Sequence, residues 1–90
     1  MTQVFTVYDS AARRYLEPFF ADTVEVALRM FRAMVAKEGH QFNRFPEDYT
    51  LFHIGEYDPG SGMVSSLLAP HSLGVAVQFM PVNGPKLEVN

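Results

Sequence analysis

The side chains able to do chemistry in this sequence are sparse and poorly spaced. His40, His53 and His71 are too far apart to make a local metal motif, because a metal site wants clustered donors that close around the ion. They read as loop or surface histidines, with His53, inside an extended stretch, making a structural hydrogen bond. Carboxylates come as Glu47-Asp48 and as Glu56 with Asp58. A general acid and base would need convergent placement and separated pKa values, whereas turn and capping roles account for both pairs. Asp58 lacks the further acidic ligands of a calcium loop. Gly60-Ser61-Gly62-Met63 has neither the Gly-x-Ser-x-Gly frame of a nucleophile elbow nor the Lys-Ser/Thr ending of a phosphate-binding loop. The absence of cysteine removes a thiol nucleophile, a zinc ribbon and a disulfide framework, and it suits a reducing cytoplasm. The sequence predicts no enzyme, no cofactor, no metal and no small-molecule substrate.

Charge placement is more informative. Residues 1–45 hold six basic side chains (Arg13, Arg14, Arg29, Arg32, Lys37, Arg44) against five acidic ones, whereas residues 46–90 hold Lys86 against five acidic ones. The net charge of −3 argues against a protein that coats nucleic acid by bulk charge. Arg13-Arg14 together with an Arg29/Arg32 ridge would still form a local basic patch, strengthened by doubling in a dimer. Four phosphate contacts give a salt slope of only about −3 on single strands, so binding through such a patch is weak at physiological salt. The competing reading is a solvated helix face on which Arg29 pairs with Glu25 at the i,i+4 spacing. Eight Phe and four Tyr could also include a stacking platform for unpaired bases. No RNA-recognition-motif signature accompanies them, so core packing is the expected role, with Tyr8, Tyr15 and Tyr57 as the residues that would stack.

These side chains need elements to hold them. At 90 residues, 48% hydrophobic and 19% charged, the chain reads as one small domain with a thin core. Residues 1–80 are expected to form the domain and residues 81–90 a flexible C-terminal tail. No apolar run reaches the roughly 18–20 residues of a membrane span, and the N-terminus lacks the basic-then-apolar pattern of a signal peptide. Val4-Phe5-Thr6-Val7-Tyr8 reads as a strand with Phe5 and Val7 on one face. A second extended piece runs from Tyr15 to Ala21, and Pro18, lacking an N–H, makes it an edge strand or a bulged one.

The clearest element is a helix from Thr23 to Glu38. Asp22 is expected to cap it, with Glu25 reaching back in a capping box and Gly39 as its left-handed stop. Val24, Ala27, Leu28, Phe31 and Val35 form the stripe that should pack on a sheet. Met30 and Met34 extend the apolar surface, with Val26 and Ala33 beyond, wider than one sheet contact requires. His40 to Asp48 reads as a loop anchored by Phe42 and Phe45. Tyr49 to Tyr57 is a strand, Asp58 to Gly62 a turn, and Met63 to Leu68 the second arm of a hairpin. Leu73 to Phe79 fits a short strand or one helical turn.

The order β-β-α-β-β predicts a two-layer α+β domain, an antiparallel sheet of about four strands arranged 2-1-3-4 with one main helix on one face. The other face, carrying residues such as Tyr8 or Leu51, has no evident cover. Either the C-terminal segment covers it or a second copy does, and a homodimer is expected.

Three blocks resemble the small nonstructural protein of gokushovirus-type microviruses, which are single-stranded DNA phages. They are Val7-Tyr8-Asp9 with Pro18-Phe19-Phe20, the helix segment Thr23 to Phe31, and Pro46-Glu47-Asp48-Tyr49-Thr50-Leu51-Phe52-His53-Ile54-Gly55-Glu56-Tyr57-Asp58 followed by Gly60. The last is similar to the family's Pro-x-Asp-Tyr/Phe-x-Leu-x-x-Ile/Leu-Gly-x-Phe/Tyr-Asp block. The resemblance spans residues 4–68 and implies a protein made in the infected bacterium, in the host cytoplasm, outside the capsid. It further implies a role like that of protein C of the best-known microviruses, in the switch from duplex copying to single-strand synthesis and packaging. It carries no catalytic residue. Among the matching positions, Asp58 and Gly60 would shape the hairpin turn, Gly55 would permit close backbone approach, and Phe31 would sit in the core. Arg29 is left free for a partner. The first expectation is therefore a noncatalytic accessory protein that touches single-stranded DNA or the viral replication complex through Arg13, Arg14, Arg29 and Arg32. The alternative is a protein-only adaptor that docks a viral or host protein through Met30 and Met34.

Overall fold

The fold is described from a computed structural model over residues 1–81. Its strands β1 (Thr2–Asp9), β2 (Arg14–Tyr15), β3 (Phe19–Ala21), β4 (Tyr49–Asp58) and β5 (Met63–Val75) form one antiparallel sheet. The order is β2-β1-β4-β5, with β3 also paired to β1. This is the expected 2-1-3-4 arrangement, with the second strand divided at Leu16-Glu17-Pro18. The first piece pairs Tyr8 with Tyr15 and Asp9 with Arg14, and the second pairs Val4 with Phe20 and Phe5 with Phe19. A proline cannot donate to the ladder, and the edge breaks at that point. Thr6, opposite the break, is buried and donates its hydroxyl to the Leu16 carbonyl at 2.7 Å, while the Leu16 N–H donates to the Val7 carbonyl at 2.8 Å.

Helix α1 (Val24–Ala36) packs on one face of this sheet. Its Ala27, Phe31 and Val35 are buried against Phe5, Val7 and Leu51 in a single core. The cap is Thr23 and not Asp22: Thr23 has extended backbone, and its Oγ1 accepts the Val26 N–H at 3.1 Å. Asp22 therefore lies before the helix, and Glu25 stands in the first turn, where a carboxylate favours the helix dipole, without closing a capping box. The helix also stops before Glu38. Lys37 leaves it in extended conformation, and the positive φ of Gly39 (91°) serves the turn that follows, closed by the His40 N–H on the Lys37 carbonyl at 3.0 Å.

A one-turn helix, α2 (Gln41–Arg44), replaces the expected loop. His40 caps it, its Nδ1 accepting the Phe42 N–H at 3.0 Å. Asn43 ties it to α1 by donating to the Val35 carbonyl at 2.8 Å. Phe42 is buried between Phe31 and Tyr49, as expected of an anchor. Phe45 is not an anchor, since it is half exposed with the Arg44 guanidinium 5.2 Å from its ring centre.

The β4–β5 hairpin turns at Asp58, whose carboxylate accepts the Gly60 N–H at 2.8 Å, while Gly62 takes the positive φ of 77°. Gly55 lies against the partner strand, because a Cβ there would come within 2.5 Å of the Ser65 carbonyl oxygen. β5 does not end at Leu68. It runs on to Val75 through a register jump in which Gly55 pairs with Ser66 but His53 with His71. A 3-10 turn (Ala76–Phe79) follows, so the ambiguous stretch is strand up to Val75 and helical turn after it. Phe79 packs edge-on against Phe31 at 5.8 Å, and the Val77 N–H donates to the Pro46 carbonyl.

That packing bears on one expectation about the second sheet face. Phe79 and Met80 lie on the helix side, so among the described residues the segment after β5 does not cover the other face. Leu51 is also on the helix side, fully buried, because it pairs with Val7. Apart from Pro81, the expected tail of residues 81–90 lies outside the described residues. Among the described residues no helix is long and apolar enough to cross a membrane.

Candidate functional site

The arginines sit on two separate elements. Arg13 and Arg14 end the β1–β2 hairpin, both exposed. The Asp9 carboxylate holds the turn by accepting the Ala11 and Ala12 N–H groups at 3.0 and 3.2 Å. Arg13 has φ 58°, a left-handed conformation uncommon outside glycine, at the end of the turn. Arg29 and Arg32 are exposed on the outer ridge of α1, and the Arg32 guanidinium lies 5.3 Å from the Phe79 ring centre. Arg32 thus leans towards the turn that follows β5, while Arg13 and Arg14 are at the β2 edge. The methionines differ from each other. Met34 is half buried and packed on the core, and Met30 is exposed.

The histidines take structural positions. His53 stacks on Phe5, with Nε2 2.8 Å from Gln3 Oε1 and 3.1 Å from the Gly55 carbonyl oxygen. His40 is the α2 cap and His71 is exposed on β5. Among the described residues, no group of three or more His, Asp or Glu side chains could hold a metal ion. The titration of Tyr49 is displaced. Burial, then the charges of Asp9 and Asp48, push its phenol above the ordinary 10.0, while its hydroxyl donates to Gln41 Oε1 at 3.3 Å. It is a core tyrosine.

The uncovered sheet face is the feature that reading along the chain located least well. Tyr8, Tyr15 and Phe52 cluster on it, with ring centres 4.8 Å apart for Tyr8–Tyr15 and 5.8 Å for Tyr15–Phe52. Phe20 and Tyr57 form a second pair at 5.7 Å. Beside the first cluster a hollow of about 250 Å³ is lined by Thr6, Tyr15, Leu16, Pro18, Ile54 and Pro70. Its walls are largely apolar; of its two hydroxyl-bearing residues, Thr6 and Tyr15, the Thr6 hydroxyl is already donated to the Leu16 carbonyl. Such a hollow can seat an apolar group and offers nothing to activate one. The period-2 alternation of Thr6 and Tyr8, and of Phe52 and Ile54, was the available signal for it.

Residues 2–79 match the family whose description is Phage ORF5 protein. The chain belongs to this family. The match closes on Phe79, the last residue of the 3-10 turn, so it takes in every strand, both helices and the turn that packs beside α1. It reaches beyond the stretch carried by the sequence resemblance to include Gly74 and Phe79. Comparison with curated proteins and with solved structures gave no match. The Phage ORF5 match makes this a phage protein, and the matched span holds Arg13, Arg14, Arg29 and Arg32 as well as the uncovered face.

Proposed function

We propose that this is a noncatalytic accessory protein of a gokushovirus-type microvirus. It acts in the host bacterial cytoplasm late in genome replication, at the switch to single-stranded DNA synthesis and packaging. It touches DNA or the replication complex through Arg13, Arg14, Arg29 and Arg32. The observation that carries this reading is the placement of the four guanidinium groups. In a chain of net charge −3, all four are exposed, as two pairs on separate elements, and the Asp9 carboxylate orders the backbone turn that leads into Arg13 and Arg14. Exposed guanidinium groups can bind phosphate oxygens in bidentate fashion.

The test is a mobility-shift series with single- and double-stranded DNA across salt. Weak binding with a log–log salt slope of about −3 is expected for four contacts on single strands. Loss of binding in Arg29→Ala/Arg32→Ala and in Arg13→Ala/Arg14→Ala supports the reading. Absence of binding at low salt, or binding unchanged in the helix double variant, removes the direct-DNA version. The exposed Met30 favours a second reading, an adaptor that docks a viral or host protein on the α1 flank. That reading predicts a co-purifying partner that survives nuclease treatment and is lost in Met30→Glu.

A further inference from the structure

We infer that the uncovered sheet face is a self-association surface on which a second copy of this chain packs face to face, around the hollow and Leu68. Charge is the first ground. In an antiparallel ladder, directly opposed residues share a face, and the pairs Val4–Phe20, Tyr8–Tyr15, Thr6–Phe52 and Tyr57–Val64 belong to this one. The oppositely charged Asp9–Arg14 pair and Glu56, opposite the neutral Gln3, fall on the other face. A face without charge does not repel its own copy, and it draws neither a phosphate backbone nor an acidic partner into place. Neighbouring aromatic residues are far from covered within the monomer, with Tyr15 46% and Phe20 50% exposed.

Shape is the second ground. The register jump on β5 pushes Leu67 to Pro70 out opposite Ile54, and Leu68 on that bulge is fully exposed. Among the described residues, no contact accounts for a leucine so placed. Pro70 of the same bulge lines the hollow with Thr6 and Tyr15. The bulge therefore sets a convex apolar group beside a concave apolar site, the two halves of a self-complementary contact.

Area is the third ground. With strands about 4.8 Å apart and about 3.3 Å per residue, the face measures on the order of 500–600 Å² per copy. Two copies then bury roughly 1,100 Å², just above the ~1,000 Å² expected of a specific interface and below the ~1,600 Å² of a standard one. The association is thus reversible and concentration-dependent.

Sedimentation velocity without DNA tests this, so the outcome is independent of the arginine reading above. The weight-average mass should rise from 10.1 kDa towards twice that value between micromolar and millimolar concentration. Leu68→Glu and Tyr15→Glu, both at exposed positions, should keep their circular dichroism and weaken association at least tenfold, while Met30→Glu leaves it unchanged. A chain that stays monomeric throughout, a dimer indifferent to both face variants, or one lost in Met30→Glu overturns the proposal. So does loss of oligothymidylate binding in Tyr15→Glu with no change in mass, which would make the face a base-stacking platform.

Discussion

The Thr6 hydroxyl donates to the Leu16 carbonyl at 2.7 Å, joining the central strand to the break in its edge partner. Residues Leu16 to Pro18 leave the ladder, and Thr6 is buried opposite them. This bond therefore replaces a missing rung and also forms part of the hollow. Thr6→Val keeps the shape but leaves the Leu16 carbonyl without its donor. A loss of about 1–2 kcal/mol is expected from the desolvated acceptor, read by urea unfolding. Thr6→Ser, which keeps the hydroxyl, should lose clearly less.

Gly55 is fixed by its neighbour and not by its torsions. An added Cβ would meet backbone, the Ser65 carbonyl oxygen at 2.5 Å, which no side-chain rotation can relieve. Gly55→Ala should cost about 1–3 kcal/mol, the range for overpacking, or more where the hairpin must separate. Thermal unfolding followed by circular dichroism gives the answer. An unchanged midpoint would mean that β4 and β5 are not this close.

The two candidate caps of α1 separate cleanly by substitution. Thr23→Ala removes the acceptor for the Val26 N–H and should cost about 1 kcal/mol. Asp22→Ala removes only a charge near the helix start, and a few tenths of a kcal/mol are expected. Equal effects in urea titrations would restore Asp22 as the cap.

Tyr49 makes the protein sensitive to alkali in a defined direction. Its phenol titrates above 10.0 in the fold because of burial and then of Asp9 and Asp48, and at 10.0 in the unfolded chain. The folded state therefore holds the proton where the unfolded state has released it. The stabilisation is complete below pH 10 and falls as pH rises from there through the folded value. Absorbance at the tyrosinate band should show one tyrosine ionising with unfolding. Tyr49→Phe should flatten the pH dependence of stability above 10 while losing the bond to Gln41.

Much of the architecture could be read along the chain because its strongest signals are local. Pro18 announced the broken edge strand, the Phe5/Val7 alternation announced the inner face, and the spacing of Ala27, Phe31 and Val35 announced the helix stripe. Errors arose where a neighbour distant in sequence decides. Leu51 alternates correctly with Phe52, but only its pairing with Val7 says which face the helix covers. Helix α2 is a single turn, too short for periodicity, and its cap is a histidine ring nitrogen. The β5 bulge is set by register against Ile54, which composition does not encode. Arg13, Arg14, Arg29, Arg32 and Met30 are expected on the surface from the sequence, and all five are exposed. The hollow is not expected from it, because its walls come from four separated stretches.

The bulge at Leu67 to Pro70 has one more effect. β5 is the outermost strand, 13 residues long, and its outer rim of amide and carbonyl groups is a template on which foreign chains could polymerise. Such growth has no natural end, unlike the closed pairing of two faces. A kinked rim containing a proline cannot be matched by a straight incoming strand over its full length. The same irregularity that lifts Leu68 into view thus guards a thin, aromatic-rich protein against fibril formation when it accumulates.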